Sequence, residues 1–141
     1  MTFTGTRLLA TSPSYVLASL VDVRRLSTWN PALAPVRSAD EQAVVGRVYR
    51  TKVKGLVPAT IVFDRIAEGG LEYEMNALRS GEIGRWSWKA EATGCTRVTH
   101  SFEHRGVLLG AMSHAFDQVA GWRLDRLAEE AARRAHLAER T

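Results

Sequence analysis

The carboxyl-terminal stretch, from about residue 108 to about 138, constrains the fold more than any other part of the chain. Leu109, Met112, Phe116, Val119 or Ala120, Leu124, Leu127 and Ala131 recur at helical spacing and form one apolar stripe, while the arginines around them interleave with Glu129, Glu130 and Glu139. A long helix with a single apolar stripe must lay it on something. The only partner with enough area is the middle of the chain. There, strand-like segments at about 34–40, 46–54, 58–67, 70–78, 81–92 and 95–105 alternate with turn signals at Gly46, Gly55 with Pro58, Gly69-Gly70, Ser80-Gly81 and Thr93-Gly94. Those spacings suit an antiparallel meander with one apolar face, which can curl around the helix.

Upstream, residues 3–11 read as one more strand, ended by Ser12-Pro13. Ser12 suits an N-cap and Pro13 the first helical position, and Tyr15, Val16, Ser19, Leu20 and Val23 then follow at helical spacing. A second helical piece around 24–28 must stop at Asn30, because the residue before Pro31 is biased away from helix. The expectation is an α+β chain forming one domain over residues 1–141. A seven-stranded antiparallel sheet wraps a long C-terminal helix, with two short helices after the first strand.

This order of elements is that of the helix-grip fold. With "SPSYVLASLVDVRRLSTWNPAL" after the first strand, Gly46 opening the third and "GCTRVTHSFEH" as the last, the chain resembles the START-related SRPBCC superfamily, near its polyketide cyclase/dehydrase-like branch. The resemblance covers essentially the whole chain. It implies a fold more than a chemistry, since the superfamily includes aromatases and cyclases, lipid carriers, hormone receptors and chaperone activators. It also implies a place for Trp29, at the joint where the two short helices prop the sheet under the terminal helix. Trp29 is then an anchor first and a lining of the cavity mouth second.

Composition narrows the partners. With 19 Lys and Arg against 15 Asp and Glu, the formal charge is +4, but the tightest basic group is only Arg47, Arg50, Lys52 and Lys54. We expect an ordinary charged surface and no nucleic-acid partner. The single cysteine, Cys95, precludes an internal disulfide framework, and no stretch is long or apolar enough for a membrane span or a secretory signal. A cytoplasmic location is the default expectation, and monomer and homodimer both stay open.

Alternation along the strands sorts side chains by face. With Arg50, Lys52 and Lys54 in water, Tyr49, Thr51 and Val53 turn inward. Leu71, Tyr73, Met75 and Ala77 oppose Glu72, Glu74 and Asn76, and Trp86, Trp88 and Ala90 oppose Arg85, Ser87 and Lys89. In the last strand Val98, His100, Phe102 and His104 share the apolar side. An inward wall of Tyr49, Phe63, Met75, Trp86, Trp88, Phe102, Met112 and Phe116, with Trp29 at the mouth, suits a flat apolar ligand, and it equally suits a filled core. His100 is the candidate general base or acid and Tyr73 the candidate donor; the plain alternative for His100 is a neutral imidazole hydrogen-bonded within the sheet. The histidines at 100, 104, 114 and 136 lack metal-site spacing, so no metal and no cofactor are expected. The leading functional reading is a binder of a hydrophobic, aromatic or polyketide-like small molecule, held in an internal cavity between the sheet and the C-terminal helix. Its alternatives are a polyketide cyclase, aromatase or dehydratase acting by enolisation, ring closure and water loss, and a chaperone-activator-like module that binds another protein.

Overall fold

The computed structural model describes residues 2–106 and 117–140. Its elements are β1 (Thr2–Leu9), α1 (Pro13–Val21), one 3-10 turn (Val23–Arg25), α2 (Leu26–Trp29), β2 (Val48–Val53), β3 (Val57–Ala67), β4 (Gly70–Ala77), β5 (Ser80–Ala92), β6 (Cys95–Arg105) and the C-terminal helix α3 (Val119–Glu139). All neighbouring strands run antiparallel, in the spatial order β1-β6-β5-β4-β3-β2. Helix α3 packs on α1, α2, β1 and β6, so the sheet grips the helix as its stripe requires. Gly5 lets the helix approach closely: a Cβ there would lie 3.0 Å from Leu124 and 3.3 Å from Ala120.

The sheet has six strands, not seven. The expected strand at 34–40 is an extended segment that borders β2 at one end only. Leu33 bridges Val53, Lys54 N–H donates to Ala32 O, Ala34 N–H donates to Lys52 O, and Thr51 Oγ1 donates to Ala34 O. Pro31 and Pro35 flank this contact and lack the N–H donors that a longer ladder needs. Helix α3 is described from Val119 onward; Leu109, Met112 and Phe116 of the expected stripe lie outside the described residues.

Two ends of the core are closed differently. At the helical joint, Glu130 of α3 accepts from Arg25 at 2.9 and 3.2 Å and from Arg133 at 3.0 and 2.7 Å, while Arg134 reaches back to Asp22. Burial alone would raise the Glu130 carboxyl, but these guanidinium contacts outweigh it and bring the group down to about 2. The stabilisation is therefore complete above the unfolded value of 4.5 and fades as pH falls toward about 2. Glu130→Gln should lower stability at neutral pH, and the gap between the two proteins should close on acidification; a gap that widens in acid would contradict the assignment.

At the other end, Leu78 and Arg79 form the two-residue β4–β5 turn with φ of 37° and 60°. Positive φ at both central positions suits Asn-Gly, and for bulkier residues it costs about 1 to 3 kcal/mol each. Replacing Leu78-Arg79 by Asn-Gly should stabilise the fold by about 1 kcal/mol or more in denaturant unfolding. No gain would mean that the turn is unstrained.

Candidate functional site

The register lines up the inner face in rows. Tyr49, Ile61, Met75, Glu82 and His104 stand opposite one another from β2 to β6. The next row is Phe63, Tyr73, Gly84, Phe102 and Phe3, and the one after it runs through Leu71, Trp86, His100 and Gly5. Among these apolar rows stand Glu82, His104, Tyr73 and His100, and α3 lowers Arg123 onto them.

Glu82 and Arg123 are an ion pair inside the protein, 5% and 6% exposed. Arg123 Nη1 donates to Glu82 Oε2 at 2.8 Å and Nη2 donates to Oε1 at 3.1 Å, a forked contact with a carboxylate. Tyr73 Oη donates to Oε2 at 2.5 Å, and His104 Nε2 donates to Oε1 at 2.9 Å. Burial alone would raise the Glu82 carboxyl; the Arg123 charge and the three donors overcome it and hold the group well below the usual carboxylate range. Tyr73 is pushed well above the usual phenol value by burial and by the Glu82 charge. The guanidinium of Arg123 also lies over the Phe102 ring, 4.6 Å from its centre.

The tautomer of His100 follows from its neighbours. Arg123 Nη1 lies 3.2 Å from His100 Nε2 and has only hydrogens to offer, so Nε2 accepts. The proton is then on Nδ1, which donates to Arg85 O at 3.0 Å. The ring lies flat on Trp86, with centroids 3.7 Å apart and planes 9° apart. Burial first, and the Arg123 charge second, depress this imidazole to about 3. At neutral pH His100 is uncharged with both nitrogens engaged, the arrangement of a satisfied core histidine rather than a poised base.

Gly84 makes room for the cluster. It faces Tyr73 across the β4–β5 ladder, and a Cβ there would lie 2.1 Å from Tyr73 Cζ. The phenol ring thus occupies the space that any other residue at this position would fill.

The other residues expected at the site separate by role. Trp29 is buried and meets Trp86 edge-on at 5.2 Å. Tyr49 packs its ring edge on Phe63, while its hydroxyl donates to Asp40 Oδ2 at 2.7 Å and accepts from Val44 N at 2.8 Å. With Trp86 and Trp88 these side chains belong to the main core cluster, so much of the inward aromatic surface is used in packing. Met75, half-buried, and Phe102 border the polar cluster. Met112 and Phe116 lie outside the described residues. Arg85 points outward and pairs with Glu72 at 3.2 Å. No group of metal-ligating side chains occurs among the described residues.

Sequence reasoning missed Glu82, Arg123 and the part played by His104. The signals were present: Glu82 is in phase with Trp86 and Trp88, and Arg123 lies beside Leu124 and one turn from Ala120 and Leu127. A cleft of about 600 Å3 opens at this end of the sheet. Its lining is mostly outer-face, with Arg50, Pro58, Thr60, Glu74, Asn76, Ile83 and Arg105 beside the β4–β5 turn, and it reaches inward-facing positions at Thr51, Ala59, Ala77 and Glu82.

A six-stranded antiparallel sheet closed around a C-terminal helix, with two short helices after β1, is a START-like helix-grip fold, here with a buried polar cluster under the helix. The chain belongs to the polyketide cyclase/dehydrase and lipid transport family, whose model matches residues 1–134. No curated protein matches it in sequence. Among solved structures it is similar to the Zhui aromatase/cyclase of a Streptomyces species, with TM-score 0.73 and 18% identity over 96% of this chain and 95% of that one. A START superfamily protein from Mycobacterium smegmatis gives TM-score 0.70 and 15% identity over 97% and 98% of the two chains. A protein from Mesorhizobium loti gives TM-score 0.73 and 12% identity over 94% and 98%. At these identities the likeness concerns the fold.

Proposed function

We propose that this protein binds a hydrophobic small molecule, aromatic or polyketide-like, at the end of the grip where the cleft meets the polar cluster. The observation that carries this reading is Arg123. Its Nε–H is buried and has no acceptor among the described residues, while its other nitrogens are held by Glu82, Tyr73 and His100. A buried donor without an acceptor costs about 1 to 3 kcal/mol, and a ligand carbonyl or phenol oxygen would relieve that cost. Met75 and Phe102 supply apolar surface beside it. Membership of a family named for cyclases and lipid transport supports the same class of ligand.

The inward arginine also favours a second reading, a cyclase or dehydratase. A fixed cation aimed at a ketone oxygen would stabilise the enolate formed during ring closure. In that case Arg123, through its Nε–H, is the electrophilic group, and Tyr73, whose single hydroxyl hydrogen is given to Glu82, helps to hold the pair in place. His100, locked between Arg123 and a backbone carbonyl, orients Arg123 rather than moving a proton.

Native mass spectrometry of the purified protein tests binding: an adduct that disappears on denaturation, or saturable thermal stabilisation by a polycyclic phenol, is expected. Absence of both would overturn the binding reading. Conversion of a supplied linear poly-ketone to an aromatic product, above the rate in buffer, would decide for the enzyme.

A further inference from the structure

The end of the sheet where the cleft opens carries two hairpin tips, each with a leucine held out in water. Leu56, in the β2–β3 tip, is 84% exposed, and Leu78, in the β4–β5 tip, is 68% exposed. Cations predominate around them, Glu74 at the cleft being paired with Arg105 at 3.3 Å. Of the basic group Arg47, Arg50, Lys52 and Lys54, only Arg47 is engaged, with Asp40 at 2.7 Å. Arg50, Lys52, Lys54 and Arg79 have no ion-pair partner among the described residues, and Arg50, Leu78 and Arg79 line the cleft. The Leu78-Arg79 pair does nothing for its turn, whose left-handed geometry suits Asn-Gly. An exposed leucine and an arginine in a conformation that opposes both point to a use outside the fold.

We propose that these two tips dock the protein on an anionic lipid bilayer. Leu56 and Leu78 enter the boundary between headgroups and acyl chains, and Arg50, Lys52, Lys54 and Arg79 lie against the lipid phosphates. The cleft then faces the membrane. Charge complementarity selects an anionic surface, and the shape of the patch selects a bilayer over a protein. The tips are separated by about two strand spacings, roughly 10 Å, and present two small apolar points rather than the roughly 800 Å2 per partner of a specific protein interface. A bilayer needs no complementary shape. This docking is independent of which molecule the interior takes.

Cosedimentation with vesicles tests it directly. The protein should pellet with vesicles of equal parts phosphatidylglycerol and phosphatidylcholine, should not pellet with phosphatidylcholine alone, and should be released by added salt. Leu56→Ser and Leu78→Ser should each weaken partitioning by about tenfold, because each removes one inserted side chain. Lys52→Glu with Lys54→Glu should abolish it. The leucines are exposed, so their variants should melt with the wild type; if one fails to fold, the comparison of the two vesicle types on the wild type still decides. The proposal is overturned by equal binding to both vesicle types or by no binding to the anionic ones. Leucine variants that bind like the wild type would overturn it too, since they would reduce the effect to diffuse charge. So would leucine-dependent binding to soluble polyglutamate, which would assign the tips to an acidic protein.

Discussion

Arg123→Met is expected to destabilise the protein by about 3 to 5 kcal/mol, because it leaves the Glu82 carboxylate buried without its cation. Glu82→Gln should cost a comparable amount by stranding the guanidinium. The double substitution removes both charges, while the amide that replaces the Glu82 carboxylate keeps an oxygen for Tyr73 or His104, so it should cost far less than the two single changes added together. Denaturant unfolding of the four proteins measures that coupling. Single variants that each cost under about 1 kcal/mol would show that the pair is hydrated and that the cluster is no buried site.

The same pair has a signature in pH. In the wild type the Glu82 carboxyl is held below its unfolded value of 4.5, so its contribution is present above that value and is lost as pH falls through the folded one. With Arg123 gone, the burial that opposes ionisation loses its main counterweight and the folded value rises, so the variant has less of this stability to lose as pH falls. The difference between wild type and Arg123→Met should therefore shrink on acidification. A difference independent of pH would mean that Arg123 acts through packing alone.

Trp29→Ala should cost about 3 to 5 kcal/mol as well, for a different reason. Trp29 is 2% exposed and meets Trp86 edge-on beneath the helical joint, so truncation opens a cavity between α2 and the sheet. Its Nε1–H has no acceptor among the described residues, so little hydrogen bonding is lost with it. Trp29→Phe should accordingly be milder. Melting curves read beside ligand titrations separate anchor from gate: an unchanged melting temperature with lost ligand affinity would make Trp29 a gate.

His100 shows how a sequence pattern can locate a group and still leave its chemistry open. Alternation in β6 turned it inward beside Tyr73 and Trp86, where it stands. Its availability as a base was decided by Arg123, 23 residues away and on the helix. Distant pairing also decided Tyr49, whose ring faces in as expected but whose hydroxyl is engaged by Asp40 in the loop before β2.

What the sequence determined on its own was whatever depends on local periodicity. A 3.6-residue stripe makes a helix with one buried face, a period of two makes strands with one, and the turn residues between them leave an antiparallel meander as the only sheet able to cover that stripe. The order of elements and the inward rows follow from it, while the family resemblance rests on particular stretches such as the one from Ser12 to Leu33. Tertiary structure decided which charges are inside. Glu82 and Arg123 are 41 residues apart, and each would be expelled to water on its own. Only the closure of β5 under α3 makes burial of both cheaper than exposure of either, and no local pattern records that cancellation. The strand count was settled in the same way, by whether the segment from Leu33 to Asp40 found a full ladder on β2, and Pro35 within it and Pro31 just before it lack the donors.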